Sequence, residues 1–194
     1  MSIVVRSYSV LVVSAVSSFN DVLPELLPTE RFYPVTITGS VSAAKREFAE
    51  RSYDLVIVNS PLPDDVGIRF AIDAGGTSSS VPMIIVKGEH LPDIYERATA
   101  HGIFTLQKPI SRSMFTVSLG WMCALRERLR KFEKKTQTIE EKMSEIRLVN
   151  RAKWLLMTVL KMEEPDAHRY IEKQAMDRSI TKKAVAEEII SSYS

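Results

Sequence analysis

Cysteine and histidine, which carry much nucleophilic catalysis and transition-metal binding, are sparse in this sequence. Cys123 is the single cysteine among 194 residues, so neither an internal disulfide nor a multi-cysteine zinc site is available. His90, His101 and His168 lie far apart, without metal-ligand spacing. Gly75-Gly76-Thr77-Ser78-Ser79-Ser80 is the most loop-like stretch. It lacks the Gly-x-x-x-x-Gly-Lys-Ser/Thr order that cradles phosphates, and it reads as a connector before a strand. What remains is cationic chemistry near the C-terminus. Arg151, Lys153, Arg169, Lys173, Arg178, Lys182 and Lys183 are candidates for phosphate contact. Lys182 and Lys183 rank first. They stand in the first turn of a predicted helix, where a phosphate meets the helix N-terminus and two ammonium groups together. Trp154 and Tyr170 have rings able to stack on loop bases, although the spacing of Tyr170 with Ala167 and Ile171 reads better as core. Such a set suits RNA, DNA or an acidic protein, and each charge also has the plain reading of a solvated helix face.

Composition narrows the class. The chain is 45% hydrophobic and 26% charged, with formal net charge +2, an ordinary globular balance. Residues 1–123 carry 10 Lys/Arg and 12 Asp/Glu, and residues 124–194 carry 16 and 12, a split that suggests two jobs. No apolar run approaches the roughly 18–20 residues of a membrane helix. Val10–Val16 follows Arg6 and ends on Ser14-Ala15-Val16, a faint cleavage-site pattern. With Ile3-Val4-Val5 ahead of the arginine it reads better as a buried strand, and the expectation is a cytoplasmic protein.

These residues need elements to position them. Val10–Val13, Asp54–Asn59 and Val81–Val86 are apolar, β-branched runs of the kind buried on both faces of a sheet. Ile103–Leu106 and Val35–Thr38 are weaker examples. Ser42–Glu50 and Pro92–Ala100 are amphipathic and of helix length, the second followed by Gly102 at a C′ position. Five strands alternating with helices predict a parallel sheet covered on both faces.

After Pro109 the pattern changes. From Ser111 to Met162 there is no proline and one glycine, Gly120, as in one long helix or two nearly in line. Met122, Leu125, Leu129, Phe132, Ile139, Met143 and Ile146 fall on alternating three- and four-residue steps if Thr136 fills one slot. With Asn150 they form a four-heptad coiled-coil seam. In a parallel homodimer Arg128 faces Glu133 and Lys135 faces Glu140, while Lys142 and Arg147 repel. Exposed pairs of this kind contribute about 0.3–0.5 kcal/mol each and bias the choice only. The alternative is a helix folded back on its own domain. Cys123 lies beside the seam and reads as packed rather than reactive. Beyond Met162, Glu163-Glu164-Pro165-Asp166 is a helix start. Ala167, Tyr170, Ile171 and Ala175 then share a face. Ser179 and Thr181 offer caps for a last helix bearing Ala184, Val185, Ile189 and Ile190. With Ala152–Leu160 this makes a three-helix unit.

The front half resembles a response-regulator receiver domain over about residues 8–118. Asp54–Gly67, DLVIVNSPLPDDVG, is similar to that family's third strand and following loop, and Gln107-Lys108-Pro109 to its Lys-Pro after the fifth strand. The resemblance implies a flavodoxin-like, doubly wound fold. It also implies that the phosphorylation site is degenerate. Ser14 and Ala15 stand where the family has an acidic pair, Asn59 where it has the phospho-accepting aspartate, Lys87 for a hydroxyl residue and Thr105 for an aromatic switch. Lys108 alone remains. An amide is a poor nucleophile, and neutral Ser14 and Ala15 give Mg²⁺ no charged ligand. Asp54 lies five residues before Asn59, roughly 16 Å away along a strand. Asp64 and Asp65 read as solvated turn residues, with a loop carboxylate as a partner for Lys87 or Lys108.

The tail resembles an ANTAR domain, an RNA-binding antitermination module, over about residues 140–193. The residues are Arg151-Ala152-Lys153 with Leu155-Leu156-Met157, then Ala167, Ile171 and Ala175, then Ala184-Val185-Ala186 with Ile189-Ile190. The resemblance implies a dimer that binds hairpins in leader RNA and disfavours a terminator. The resulting expectation is a pseudo-receiver at 1–118, a coiled-coil dimerisation helix at 119–150 and an ANTAR-like three-helix domain at 151–194. No catalytic residues, metal or cofactor are expected. RNA and a second copy of the chain are the expected partners, and a regulatory protein or ligand is left unidentified. The rival readings are a DNA-binding response-regulator-like transcription factor and a protein-interaction adaptor.

Overall fold

Two faces of one sheet organise the N-terminal part of the computed structural model, which describes residues 6–77 and 80–193, without the side chain of Thr77. Ile3-Val4-Val5 and the Ser78-Ser79 part of the expected loop lie outside those residues. The strands are β1 (Tyr8–Val13), β2 (Phe32–Thr38), β3 (Leu55–Asn59), β4 (Val81–Lys87) and β5 (Phe104–Lys108), all parallel, in the order β2-β1-β3-β4-β5. Leu11, Val13, Val56, Val58, Ile84 and Val86 point to one side, into a core shared with α3 (Val41–Glu50), α4 (Ile68–Thr77) and α5 (Leu91–Ala100). Val10, Val12, Leu55, Ile57, Met83 and Ile85 point to the other. Alternate residues of a strand face opposite ways, so sheet positions buried on both faces read as continuous apolar runs. Pro34 lies in β2, an edge strand, where its missing N–H does not interrupt the interior ladder.

Local chemistry sets the ends of the helices. The Ser40 hydroxyl accepts from Ala43 N–H at the start of α3. Asp64 is a second anchor there. Its carboxylate accepts from Val41 N and Ser42 N, each at 2.9 Å, and from the Ser42 hydroxyl at 2.8 Å, so this exposed turn residue also anchors the start of α3. These bonds hold the Asp64 carboxyl below the usual carboxylate range. Asp65 accepts from Gly67 N–H. Gly102 ends α5 at positive φ, with Ile103 N–H returning to Ala98 O. Gly67 also has positive φ, and a Cβ there would sit 2.6 Å from Val58 Cγ1, so a side chain is excluded twice over.

The Gly75–Ser80 connector expectation is corrected in part, because Gly75 and Gly76 belong to α4. A Cβ on Gly75 would meet Pro82 Cγ at 3.1 Å, so the bare glycine lets α4 pack closely on β4. Ser80 is buried and donates to Tyr53 O. The short helices α1 (Ser17–Asn20) and α2 (Leu23–Leu26) complete the second face, with Leu23 and Leu27 buried.

The helix α6 (Arg112–Val159) is unbroken for 48 residues. The chain divides into two compact units inside it, Met1–Lys131 and Phe132–Ser194. In the first unit Phe115, Leu119, Met122 and Cys123 are buried on the second sheet face, with Leu125 and Leu129 packed against them. In the second unit, Ala152, Leu155 and Leu156 of α6 meet Ala167, Ile171 and Ala175 of α7 (Glu164–Asp177) and Val185, Ala186 and Ile189 of α8 (Lys182–Tyr193). Thr181 caps α8 by accepting from Ala184 N–H. Ser179 caps nothing in α8. It ends α7 at positive φ, while Ile180 N–H bonds Ala175 O.

Candidate functional site

The C-terminal strand ends are where ligands bind in open parallel sheets. Asn59, Lys87 and Lys108 close β3, β4 and β5, and Ser14 follows β1. Asn59 is 2% exposed. Its Nδ2 donates to Ser14 Oγ at 3.0 Å, and its Oδ1 has no hydrogen-bond partner among the described residues. Lys87 and Lys108 are register partners on neighbouring strands. Lys108 Nζ donates to Ser60 O at 2.6 Å, so the expected loop carboxylate is replaced by a backbone carbonyl. Burial, then the neighbouring Lys87 charge, pushes the Lys108 pKa down. Lys87 does find a carboxylate, Glu89, at 3.8 Å. Ala15 is exposed. Thr105 lies apart from this group and lines a different groove together with Leu91, Tyr95 and Leu106, because three steps along a strand reverse the face.

Beside Asn59 and the two lysines runs a groove of about 440 Å³ walled by Val16, Phe19, Ile85, Pro109 and Ile110. The sequence offered little sign of these walls. The available signal was the aromatic Phe19 after the first strand. Among the described residues no group of three His, Cys, Asp or Glu side chains could hold a metal ion.

Asp54 sits at the opposite end of β3, before Leu55. Its carboxylate takes Arg126 Nε at 2.8 Å and Arg130 Nη2 at 2.7 Å, and Ser9 N at 3.0 Å. Burial raises its pKa, but these bonds outweigh burial and leave it below the usual carboxylate range.

The seam expectation is corrected at its N-terminal end. Met122 is 0% exposed inside the first unit, and Leu125 and Leu129 pack beside it. Their apolar spacing answers the sheet rather than a partner helix. Phe132, Ile139, Met143 and Ile146 are between 48% and 58% exposed. Cys123 is buried as expected, and burial raises its thiol pKa.

In the second unit the expected phosphate contacts divide into two groups. Lys153 pairs with Glu164 at 2.9 Å, Arg178 grips Glu188 through both terminal nitrogens at 2.6 and 2.8 Å, and Lys182 pairs with Glu172. Lys183 lies 4.0 Å from Glu187. The two lysines ranked first are therefore already compensated. Arg151, Arg169 and Lys173 are exposed and have no ion pair among the described residues. Trp154 is 62% exposed. Tyr170 is 39% exposed, which corrects its reading as core. Arg147, read in the sequence as a seam charge and not as a phosphate contact, lies four residues before Arg151 and seven before Trp154, on one face of α6.

The basic balance of the tail is redistributed as well. Residues 132–194 carry 12 Lys/Arg and 11 Asp/Glu, and residues 124–131 carry 4 and 1. Most of the excess belongs to the first unit, where Arg126 and Arg130 serve Asp54.

A match to the ANTAR domain family covers residues 137–190. Over 169 residues the chain is 31% identical to the transcriptional regulatory protein PdtaR of Mycobacterium tuberculosis, covering 87% of this chain and 82% of that one. The first unit is similar in fold to solved receivers. The signal receiver domain of an HD domain-containing protein from Pseudomonas fluorescens Pf-5 superposes with a TM-score of 0.58 at 20% identity, over 68% of this chain and 97% of that one. The chemotaxis response regulator CheY4 of Vibrio cholerae gives 0.52 at 17%, over 60% and 99%.

Proposed function

The chain belongs to the family of transcription regulators that join a receiver-like domain to an ANTAR domain, and from that membership we propose that it is a non-enzymatic, cytoplasmic antiterminator that binds leader-RNA hairpins as a dimer. The observation that carries this reading is the exposed face of α6 bearing Arg147, Arg151 and Trp154. Two uncompensated guanidinium groups and a large aromatic ring on successive turns suit single-stranded loop bases flanked by phosphates. Arg169 and Lys173 on α7 are the further phosphate contacts. Near-neutral charge in residues 132–194 implies few such contacts and a modest salt dependence. Ile139, Met143 and Ile146 form the dimer seam. The first unit no longer takes phosphate, since Asn59, Ser14 and Ala15 supply no carboxylate for phosphoryl transfer or Mg²⁺.

Fluorescence anisotropy with hairpin RNA, the same RNA with a changed loop, and duplex DNA tests the reading. Replacing Arg151 and Lys173 with Ala weakens all hairpins alike and lowers the log-affinity against log-salt slope by roughly 0.7–0.9 per lost contact. Trp154→Ala relaxes discrimination among loops with little change in slope. Duplex DNA bound as tightly as hairpin RNA at equal salt would favour the DNA-binding reading. Absence of binding to either nucleic acid at low salt would favour the adaptor.

A further inference from the structure

We infer that the groove at the C-terminal ends of β1, β3, β4 and β5 is a binding site for a small carboxylic acid with an apolar body, held by Lys87 and Lys108. The inference goes beyond the RNA reading and stands on the first unit alone. Three observations meet there. The groove has about 440 Å³ of space, and Val16, Phe19, Ile85, Pro109 and Ile110 give it apolar walls. That size and lining suit a compact organic ligand. Lys87 and Lys108, on adjacent strands, are both part of its lining; Lys87 lies 3.8 Å from Glu89 at an exposed position, and among the described residues no carboxylate pairs with Lys108. Lys108 spends one of its three N–H bonds on Ser60 O, which fixes the side chain and leaves donors for an anion. Finally, Asn59, 2% exposed, is among the residues lining the groove, and its Oδ1 lacks a hydrogen-bond partner among the described residues. A buried acceptor left unpaired is costly, so a ligand hydroxyl that displaced its covering atoms would gain a partner there.

The chemistry of the site selects among ligands. A divalent cation is repelled by the two lysines and meets no charged ligand in Ser14, Ala15 or Asn59. Inorganic phosphate satisfies the charge but leaves five apolar side chains against water. A carboxylate carried on an aliphatic or aromatic body satisfies both ends.

Isothermal titration of the full chain, without RNA, tests this with 4-hydroxybenzoate and hexanoate as probes. Saturable binding of at least one probe is expected, with the corresponding neutral amide and inorganic phosphate each weaker by about tenfold or more. Lys87→Ala, at an exposed position, should reduce that affinity about tenfold while leaving the far-UV circular dichroism unchanged. Ile110→Trp, which fills the groove, should abolish it, with the melting temperature confirming that the variant folds. Amide bound as well as acid, phosphate bound as well as either acid, undiminished affinity in Lys87→Ala, or no saturable binding up to millimolar concentration would each overturn the inference. Because no RNA is present, failure here is separate from failure of the antitermination reading.

Discussion

Arg130 Nη2 lies 2.7 Å from Asp54 Oδ1, joining α6 to the residue before β3 across 76 positions of sequence. With Arg126 on the same carboxylate, and all three side chains less than one-fifth exposed, the cluster fastens this part of the long helix to the sheet. Asp54→Ala strands two guanidinium groups in a partly dry site. It should destabilise the first unit by about 2–3 kcal/mol. Urea unfolding followed by tryptophan fluorescence and circular dichroism reads this directly. A loss below about 0.5 kcal/mol would show that the pair is no more than a surface contact.

Acid should act on both units. Asp54, Glu164, Glu172 and Glu188 all have pKa values below their ordinary range. In Asp54 the bonds from Ser9 and the arginines overcome burial. In the other three the leading cause is the hydrogen bond from Lys153, Lys182 or Arg178 respectively. A carboxyl whose folded pKa is depressed stabilises fully above its unfolded value, about 3.9 for Asp and 4.3 for Glu. That contribution is lost as pH falls through the lower folded value. Melting temperature should therefore be flat near neutrality and drop below about pH 4. A transition centred near pH 6 would contradict this assignment.

The long helix should separate folding from assembly. Met122→Ala empties a fully buried site and should cost about 2–5 kcal/mol of stability in the first unit. Ile139→Lys places a charge on an exposed apolar position. It should yield monomers with little loss of melting temperature at the first unit. Sedimentation velocity alongside calorimetry distinguishes the two. If Ile139→Lys remains dimeric, or the unmodified chain is monomeric at high micromolar concentration, the exposed stripe is not the seam.

The strand-end site should be inert to phosphodonors. Incubation with a small phosphodonor and Mg²⁺ should leave the intact mass unchanged, and Asn59→Asp alone should not restore labelling. The new carboxylate would face Lys87 and Lys108, with neutral Ser14 and Ala15 still unable to hold the cation. A stoichiometric aspartyl phosphate on the unmodified chain would refute the silent-receiver proposal.

The sequence by itself determined the five strands and most of the helices, but not α1, α2 or α4. Apolar runs at Val10–Val13, Leu55–Val58 and Val81–Val86 could be buried only on both faces of a parallel sheet, and Gly102 and Thr181 marked helix ends through bonds made within a few residues. The ANTAR-like core was legible for the same reason, since Ala152, Leu156, Ala167, Ile171, Val185 and Ala186 repeat at helical spacing. Tertiary structure alone decided what those faces meet. The three- and four-residue rhythm from Met122 to Ile146 is identical whether it packs on a sheet or on a second helix, and only the fold assigns Met122 to the sheet. Likewise Gly75 reads as a loop until Pro82 is seen against it. Lys182 reads as a free cation until Glu172, ten residues earlier, comes into reach. The Ser14–Asn59 bond, with the groove beside it, exists only because β1 and β3 are neighbours in the sheet. Periodicity records which side of an element is apolar, while partners and cavities depend on distances between elements remote in sequence.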